Sequence, residues 1–471
     1  MPRPRFPLGA TLLVVLGTVA GANADSRAPT YSLHTRLAPG TVDRVQTKVE
    51  VGGDLTVVED SKVKRLKMSV VANLGYHERF LLASAGADGP LRSIRHYDQA
   101  SAAIKIEDGG FQPVLSENRR LIGAQVDGAE AGLFSPRGPL TREELDLIDV
   151  QGSSLMLGRL LPDGPVAVGA TWKHSEAVLA ALLRLDEVGK ADVQSTLASV
   201  KDGAALIEMS GKAEGAVNGV STEIELKAKY QFHLKAGRIT WLGLLIKENR
   251  SIGHVGTGLD VVARLQTTIT PGAEAEQLSD TAIAGLPISP TPELMQLVHR
   301  SPDGKWEFAY DRRWFITAES ADGLALRMVD RGELVAQCNV AAVGKAEPGK
   351  LVSLESFQKD IQRALGKNFG QFVKAAQRSN EAGYRVFRVE AQGEVEQLPI
   401  LWIYHLVGHV DGRRVSFAFT MEGELFDRFA LSDDEMVGAL RFLDSEMAGQ
   451  SPAAARQTPT ATSQSASNPL R

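Results

Sequence analysis

The chain has 471 residues, with 52 basic and 57 acidic side chains and a net charge of −5. No basic stripe or acidic block stands out along it, which argues against nucleic acid as a partner. A single cysteine, Cys338, leaves no possible disulfide within the chain, so core burial must hold the fold.

Residues 1–24 read as a secretory signal peptide. Arg3 and Arg5 precede an uncharged run over residues 8–19, and Ala22-Asn23-Ala24 offers the small-x-small pattern of a cleavage site, expected after Ala24. The apolar run, about a dozen residues, falls short of the roughly 20 that a spanning helix needs. No cysteine lies near the cleavage site and no later segment is apolar enough to span a bilayer. A protein free in the periplasm or outside the cell is expected.

Residues 25–280 are expected to form a curved antiparallel β-sheet domain. Period-two alternation dominates, as at Leu226, Ala228, Tyr230, Phe232 and Leu234, which share one face against Glu225, Lys227, Lys229, Gln231 and His233. Ala236-Gly237, Asp202-Gly203 and Asn218-Gly219 are turn signals, since these residues tolerate positive φ. Residues 239–247 and 261–269 continue the sheet, and 42–51, 63–71 and 77–83 read as three earlier strands. Two short helices interrupt it. Thr141-Arg142-Glu143-Glu144 is a capping box with a Leu140–Leu145 staple, and a second helix starts near Ser175 with Val178, Leu179, Leu182, Leu183 and Leu185.

Leu161-Pro162-Asp163-Gly164-Pro165-Val166-Ala167-Val168-Gly169-Ala170-Thr171-Trp172 lies between the helices, and Ser251-Ile252-Gly253-His254-Val255 through Leu259-Asp260-Val261-Val262 closes the block. With these elements the block resembles a family of uncharacterised secreted bacterial proteins. That resemblance implies no activity and no functional residues.

Residues 281–292, with Pro287, Pro290 and Pro292, read as a linker. Residues 293–446 mix strand and helix periods. A hairpin is expected from 306–310 and 314–317 around Asp311-Arg312-Arg313, then a strand pair at 324–329 and 335–343. Ser353 caps a helix carrying Leu354, Phe357, Ile361 and Leu365, which Gly366 ends. Strands at 371–376, 384–391 and 398–409 follow, and Asp411-Gly412 turns into 415–420, where Val415, Phe417 and Phe419 alternate with smaller residues. Ser432-Asp433-Asp434-Glu435 is a second capping box, opening a helix with Met436, Val437, Leu440 and Leu443 inward.

The run Trp306-Glu307-Phe308-Ala309-Tyr310-Asp311-Arg312-Arg313-Trp314, the middle helix, and the hairpin ahead of the last helix give this block its character. In element order it resembles the PsbP/Mog-type α/β/α sandwich, whose members generally act as binding or assembly modules. The resemblance implies a fold and transfers no partner or ion site. Overall an α+β protein is expected: the curved sheet domain followed by a PsbP/Mog-like α/β/α sandwich of antiparallel strands. After Gly449 the chain is mostly Ser, Thr, Ala, Pro and Gln, and residues 447–471 read as a disordered tail.

Motifs for chemistry are sparse. His77-Glu78-Arg79-Phe80 lacks the second histidine of a zinc protease, and neither a Gly-x-Ser-x-Gly elbow nor a phosphate-binding loop occurs. Gly253-His254-Val255-Gly256-Thr257-Gly258 misses the dinucleotide spacing and joins two strands. His405 and His409 lie about 13 Å apart if in one strand, too far for one ion. Arg95-His96-Tyr97-Asp98 reads as an exposed strand edge more readily than an acid/base pair. Glu143, Glu144 and Asp146 read as a helix start favoured by the dipole, and Trp402, Tyr404 and Phe417 as core. No catalytic, cofactor-binding or metal residue is singled out.

The reading from sequence is a non-enzymatic exported protein that binds or scaffolds envelope or extracellular proteins. The alternatives are a carrier of an apolar, lipid-like ligand in the curved sheet, or a hydrolase with scattered residues. They differ in whether the concave face is open or plugged.

Overall fold

The computed structural model describes residues 29–59, 62–83, 90–321, 323–346, 352–380 and 382–444. The signal peptide and the C-terminal tail expected from sequence lie outside them.

The first block is built on one twelve-stranded antiparallel sheet. Its order runs Glu130–Phe134, Leu121–Asp127, Leu91–Ile106, Lys62–Ala83, Val42–Glu59, Gly258–Pro271, Arg238–Arg250, Val220–His233, Ala204–Val217, Glu187–Lys201 and Thr171–Lys173, with Gly109–Phe111 on Leu91–Ile106. The two outer strands do not pair with each other, so the sheet is no barrel. Pairing of Val42–Glu59 with Gly258–Pro271 joins the start of the block to its end. Where strands 63–71 and 77–83 were expected, a single 22-residue strand runs over Lys62–Ala83. Asn73 and Gly75 lie between the two without making a turn, because both stay paired with Leu91–Ile106, across a register shift at Gly75/Tyr76. Gly53 has φ 152°, and a Cβ there would lie 2.2 Å from the Asp260 carbonyl oxygen, so only glycine lets these two strands approach.

Alternation holds as expected on Val220–His233, with Ile224, Leu226, Ala228, Tyr230 and Phe232 buried. Both expected helices form, at Arg142–Ile148 with a complete Thr141/Glu144 capping box and at Glu176–Leu183 with Ser175 as N-cap. Together with the turn Ser154–Leu160 they cover the apolar face. Leu145, Met156, Leu157, Leu160, Leu179 and Leu182 join Tyr230, Leu242 and Leu265 in one core.

The second block contains a seven-stranded antiparallel sheet and a three-stranded one. The helix Leu354–Leu365 packs Phe357 and Ile361 onto Phe387, Val389, Trp402 and Tyr404 on one face of the larger sheet. Two expectations are corrected. Trp306–Tyr310 and Trp314–Glu319 do not form a hairpin: the first pairs with Leu297–Arg300 and Arg441–Phe442, the second with Leu324–Asp330. The Asp311 carboxylate accepts from the Arg313 backbone at 2.8 Å, and this corner passes the chain from one sheet to the other. Residues 415–419 of the strand Arg414–Glu422 are all buried, the larger and the smaller side chains alike. Ser432 is not an N-cap. Its hydroxyl donates to the Phe429 carbonyl, the helix spans Ser432–Gly438, and the chain then adds the strand Arg441–Phe442.

Residues 281–292 pack against the first block. Ile283, Leu286 and Ile288 join Leu278 on Ile94 and Leu121. The blocks then meet directly. Leu140 and Leu297 form a parallel bridge, with the Val298 N–H donating to the Leu140 carbonyl at 2.9 Å. Arg142 donates to the carbonyls of Arg312 and Trp314 and lies 4.7 Å over the Phe315 ring. Arg312 donates to the carbonyls of Leu133 and Met295, and burial pushes its pKa down to about 10. One hydrophobic cluster includes residues of both blocks.

A shared core implies cooperative unfolding. Urea titrations followed by tryptophan fluorescence and far-ultraviolet dichroism are expected to coincide in one transition. Arg312→Ala, which removes charged hydrogen bonds across the seam, should cost about 2–3 kcal/mol. Two separate transitions in the unaltered protein would contradict the shared core.

Candidate functional site

Among the described residues, the inner face of the sheet is largely filled, and it opens beside the first helix. Strands Val42–Glu59 and Lys62–Ala83 have 18 and 22 residues, so each is about 60–70 Å long at the usual rise. The helix Arg142–Ile148 above them has seven residues and is about 10 Å long. The cover therefore runs out before the strands do. Beneath this helix the cross-strand partners are Val51, Val70, Ile104 and Phe111 in one row and Val49, Ala72 and Ala102 in the next. Two alanines stand where leucine and tyrosine fill the neighbouring rows, at Leu74 and Tyr76. The result is a pocket of about 550 Å³, roofed by Leu147, Val150 and Gln151, with Gly109, Gly110 and Pro113 at its side. Its size and apolar walls match those of small-molecule sites.

Glu143, Asp146 and Asp149 also line this pocket. Sequence reasoning assigned the first two to a helix start together with Glu144. Glu143 stands in the first turn as expected, and Glu144 closes the capping box, its carboxylate accepting from the Thr141 N–H and from Ser116; Asp146 lies beyond the first turn. At helical spacing Glu143 and Asp146 fall on a common side of the helix, a signal that could have separated them from the cap. Asp149 is ion-paired with Arg184. Asp146 is exposed at the mouth of the pocket, and the protein packed around its carboxylate desolvates it enough to push its pKa up to about 6. Attraction to Arg142 opposes this, and repulsion from Asp149 and Glu143 adds to it.

The Arg95–Asp98 run is not an exposed edge. It lies inside the sheet, in Leu91–Ile106, and alternation divides it. Arg95 and Tyr97 point inward and are buried. The Arg95 Nε donates to Glu78 Oε1 at 2.8 Å, Ser93 donates to the same oxygen at 2.7 Å, and Ser154 donates to the other at 2.5 Å. Asp98 instead accepts from Arg44 at 2.7 Å, and hydrogen bonding to Arg44 overcomes the opposing effect of burial to lower its pKa. A buried, fully bonded ion pair is a structural element and offers no free base.

His405 and His409 are also separated. His409 contacts Asp411 at 2.9 Å and stacks near Tyr384 and Phe442. His405 is buried, with Nε2 2.9 Å from Asp433 Oδ2. His405, Asp433 and Asp434 bring metal-capable atoms within 4.8 Å of one another. Arg388 already supplies the cation there, with Nε 2.6 Å from Asp433 and 3.6 Å from Asp434. Burial lowers the pKa of His405, which holds it neutral. Cys338 is buried and its thiol pKa is pushed up by burial. Trp402, Tyr404 and Phe417 are core residues, and residues 253–258 connect two strands, as expected. The open pocket is where apolar wall, solvent access and an unusual carboxylate coincide.

No family model matches the chain, and no curated protein matches it. Solved structures similar to it include cyanobacterial PsbP from Synechocystis sp. PCC 6803, at 13% identity over 32% of this chain and 93% of that one, with a TM-score of 0.26. A Pseudomonas aeruginosa protein of unknown function, described as a putative regulator, matches at 9% identity over 28% and 88%, with a TM-score of 0.21. Lipovitellin matches at 10% identity over 52% of this chain and 27% of its own length, with a TM-score of 0.30.

Two expected outcomes test the electrostatics. Glu78→Ala leaves Arg95 buried without its counter-ion and should cost about 3–5 kcal/mol in urea unfolding. Asp146 behaves oppositely. Its folded pKa is raised, so the fold loses stability as pH climbs from about 4 to about 6. Asp146→Asn should therefore stabilise the protein at pH 7 by about 1 kcal/mol or less after solvent screening, and leave stability at pH 4 unchanged. Equal effects at both pH values would contradict the assignment.

Proposed function

We propose that this is an exported carrier that holds an apolar small molecule between its first helix and the curved sheet. The observation that carries this reading is the pocket of about 550 Å³ left open in a largely filled concave face. An apolar core closes up wherever side chains can reach, because unfilled volume costs stability. A pocket with walls of Val51, Val70, Ile104 and Phe111 gains that lost contact back when an apolar molecule enters. In this reading the second block is an α/β/α sandwich of the PsbP/Mog type that serves as a clamp. It grips Leu140 and Arg142, at the entry and first turn of the helix that roofs the pocket. The export signal supplies the compartment.

The test is displacement of the fluorescent probe N-phenyl-1-naphthylamine. The full mature chain should bind the probe with saturable enhancement, and Ala102→Phe, which fills the pocket from its floor, should weaken binding at least tenfold. Urea unfolding of the variant controls for loss of fold. Unchanged binding by a folded Ala102→Phe protein would remove the carrier reading.

A second reading, a module that docks on envelope proteins, is favoured by a different feature. On the second block, an open groove of about 830 Å³ beside the outer strand Phe369–Ser379 is lined in part by the exposed Val373 and Phe426. Recovery of a stoichiometric partner that Val373→Asp abolishes would support it.

A further inference from the structure

We propose that the pocket selects a cationic amphiphile: an apolar body bearing a protonated amine or quaternary ammonium, with the charge seated at Asp146. This rests on the carrier reading and adds the chemistry of the head group.

The walls recognise only apolar surface, so any discrimination must come from the roof. Three ionised side chains line the pocket there, and all are acidic. Asp149 is engaged by Arg184. The nearest other cation, Arg142, is turned to the second block, donating to the carbonyls of Arg312 and Trp314 and covering the Phe315 ring. Its hydrogen bonds hold it to the seam between blocks, from where it attracts Asp146 without overcoming that residue's desolvation. Tyr310 lies close to both Arg142 and Asp146, and desolvation holds its hydroxyl protonated, with its pKa pushed up to about 12. Of the three carboxylates, Asp146 is the most exposed, and so the one the pocket most readily presents to its contents. Its own environment penalises the bare charge.

These facts combine into selectivity. A cation entering head last would give Asp146 a charge-assisted partner while its tail takes up the apolar walls. An anionic head of equal length would be repelled by Asp146. A neutral alcohol gains the walls and nothing at the roof. Because Asp146 is largely neutral below pH 6, the preference should fade on acidification and return above it.

The experiment is displacement of N-phenyl-1-naphthylamine from the full mature chain by three ten-carbon probes: decyltrimethylammonium, decanol and decanoate. At pH 7.5 the cation is expected to displace at least tenfold better than the alcohol, and the alcohol better than the carboxylate. At pH 5 the first ratio should shrink several-fold. Asp146→Asn, with its fold verified by urea unfolding, should erase the ratio at pH 7.5 while leaving decanol unchanged. If the three probes compete equally and Ala102→Phe still blocks them, the head-group assignment falls while the pocket stands. A cation preference that survives Asp146→Asn also overturns it. If none of the probes competes and Ala102→Phe changes nothing, the carrier reading itself falls.

Discussion

An extended apolar sheet face has to be covered, and the rest of this molecule is arranged around that requirement. Twelve paired strands bury their inner rows in one cluster, and the cover must come from elsewhere in the chain. It comes as short pieces: a seven-residue helix, a 3-10 turn and an eight-residue helix. Such pieces can follow a bending sheet because no one of them is long enough to resist its twist. They also end early, and the uncovered rows at Val51, Val70 and Ile104 form the pocket. The site is therefore a consequence of how the core is closed, with Ala72 and Ala102 preventing the gap from being filled.

The second block completes the cover from the other side. Leu297 extends the backbone of Leu140, and Arg142 and Arg312 tie carbonyl groups across the seam with donors that always remain charged or nearly so. Arginine suits this work because one planar fork satisfies several buried acceptors at once. The helix that roofs the pocket is thus held at its N-terminal end by the second block, while the Asp149–Arg184 pair ties down its far end. Buried polar networks within each block, Glu78 with Arg95 and Asp433 with His405 and Arg388, fix the sheets in single registers.

Much of the architecture was legible in the sequence because alternation and turn chemistry are local. Strand Val220–His233, the turns at Asp202-Gly203 and Asn218-Gly219, and both capped helices of the first block stand where the pattern placed them. What depended on distant partners was not. Trp306–Tyr310 and Trp314–Glu319 look like a hairpin from either side of Asp311-Arg312-Arg313, and nothing local says that they belong to different sheets. The pocket was least legible of all. Ala72 and Ala102 are unremarkable alone, and only pairing of three strands sets them side by side. Glu143 and Asp146 were hidden beside a capping box that Glu144 closes.

The most direct measurement is native mass spectrometry of the protein purified from its producing cells without detergent. A carrier should retain its cargo, so the spectrum is expected to show the protein mass together with a discrete adduct of small-molecule size. The adduct should be absent from folded Ala102→Phe protein prepared identically. A spectrum of the unaltered protein that contains the bare mass alone would contradict the account.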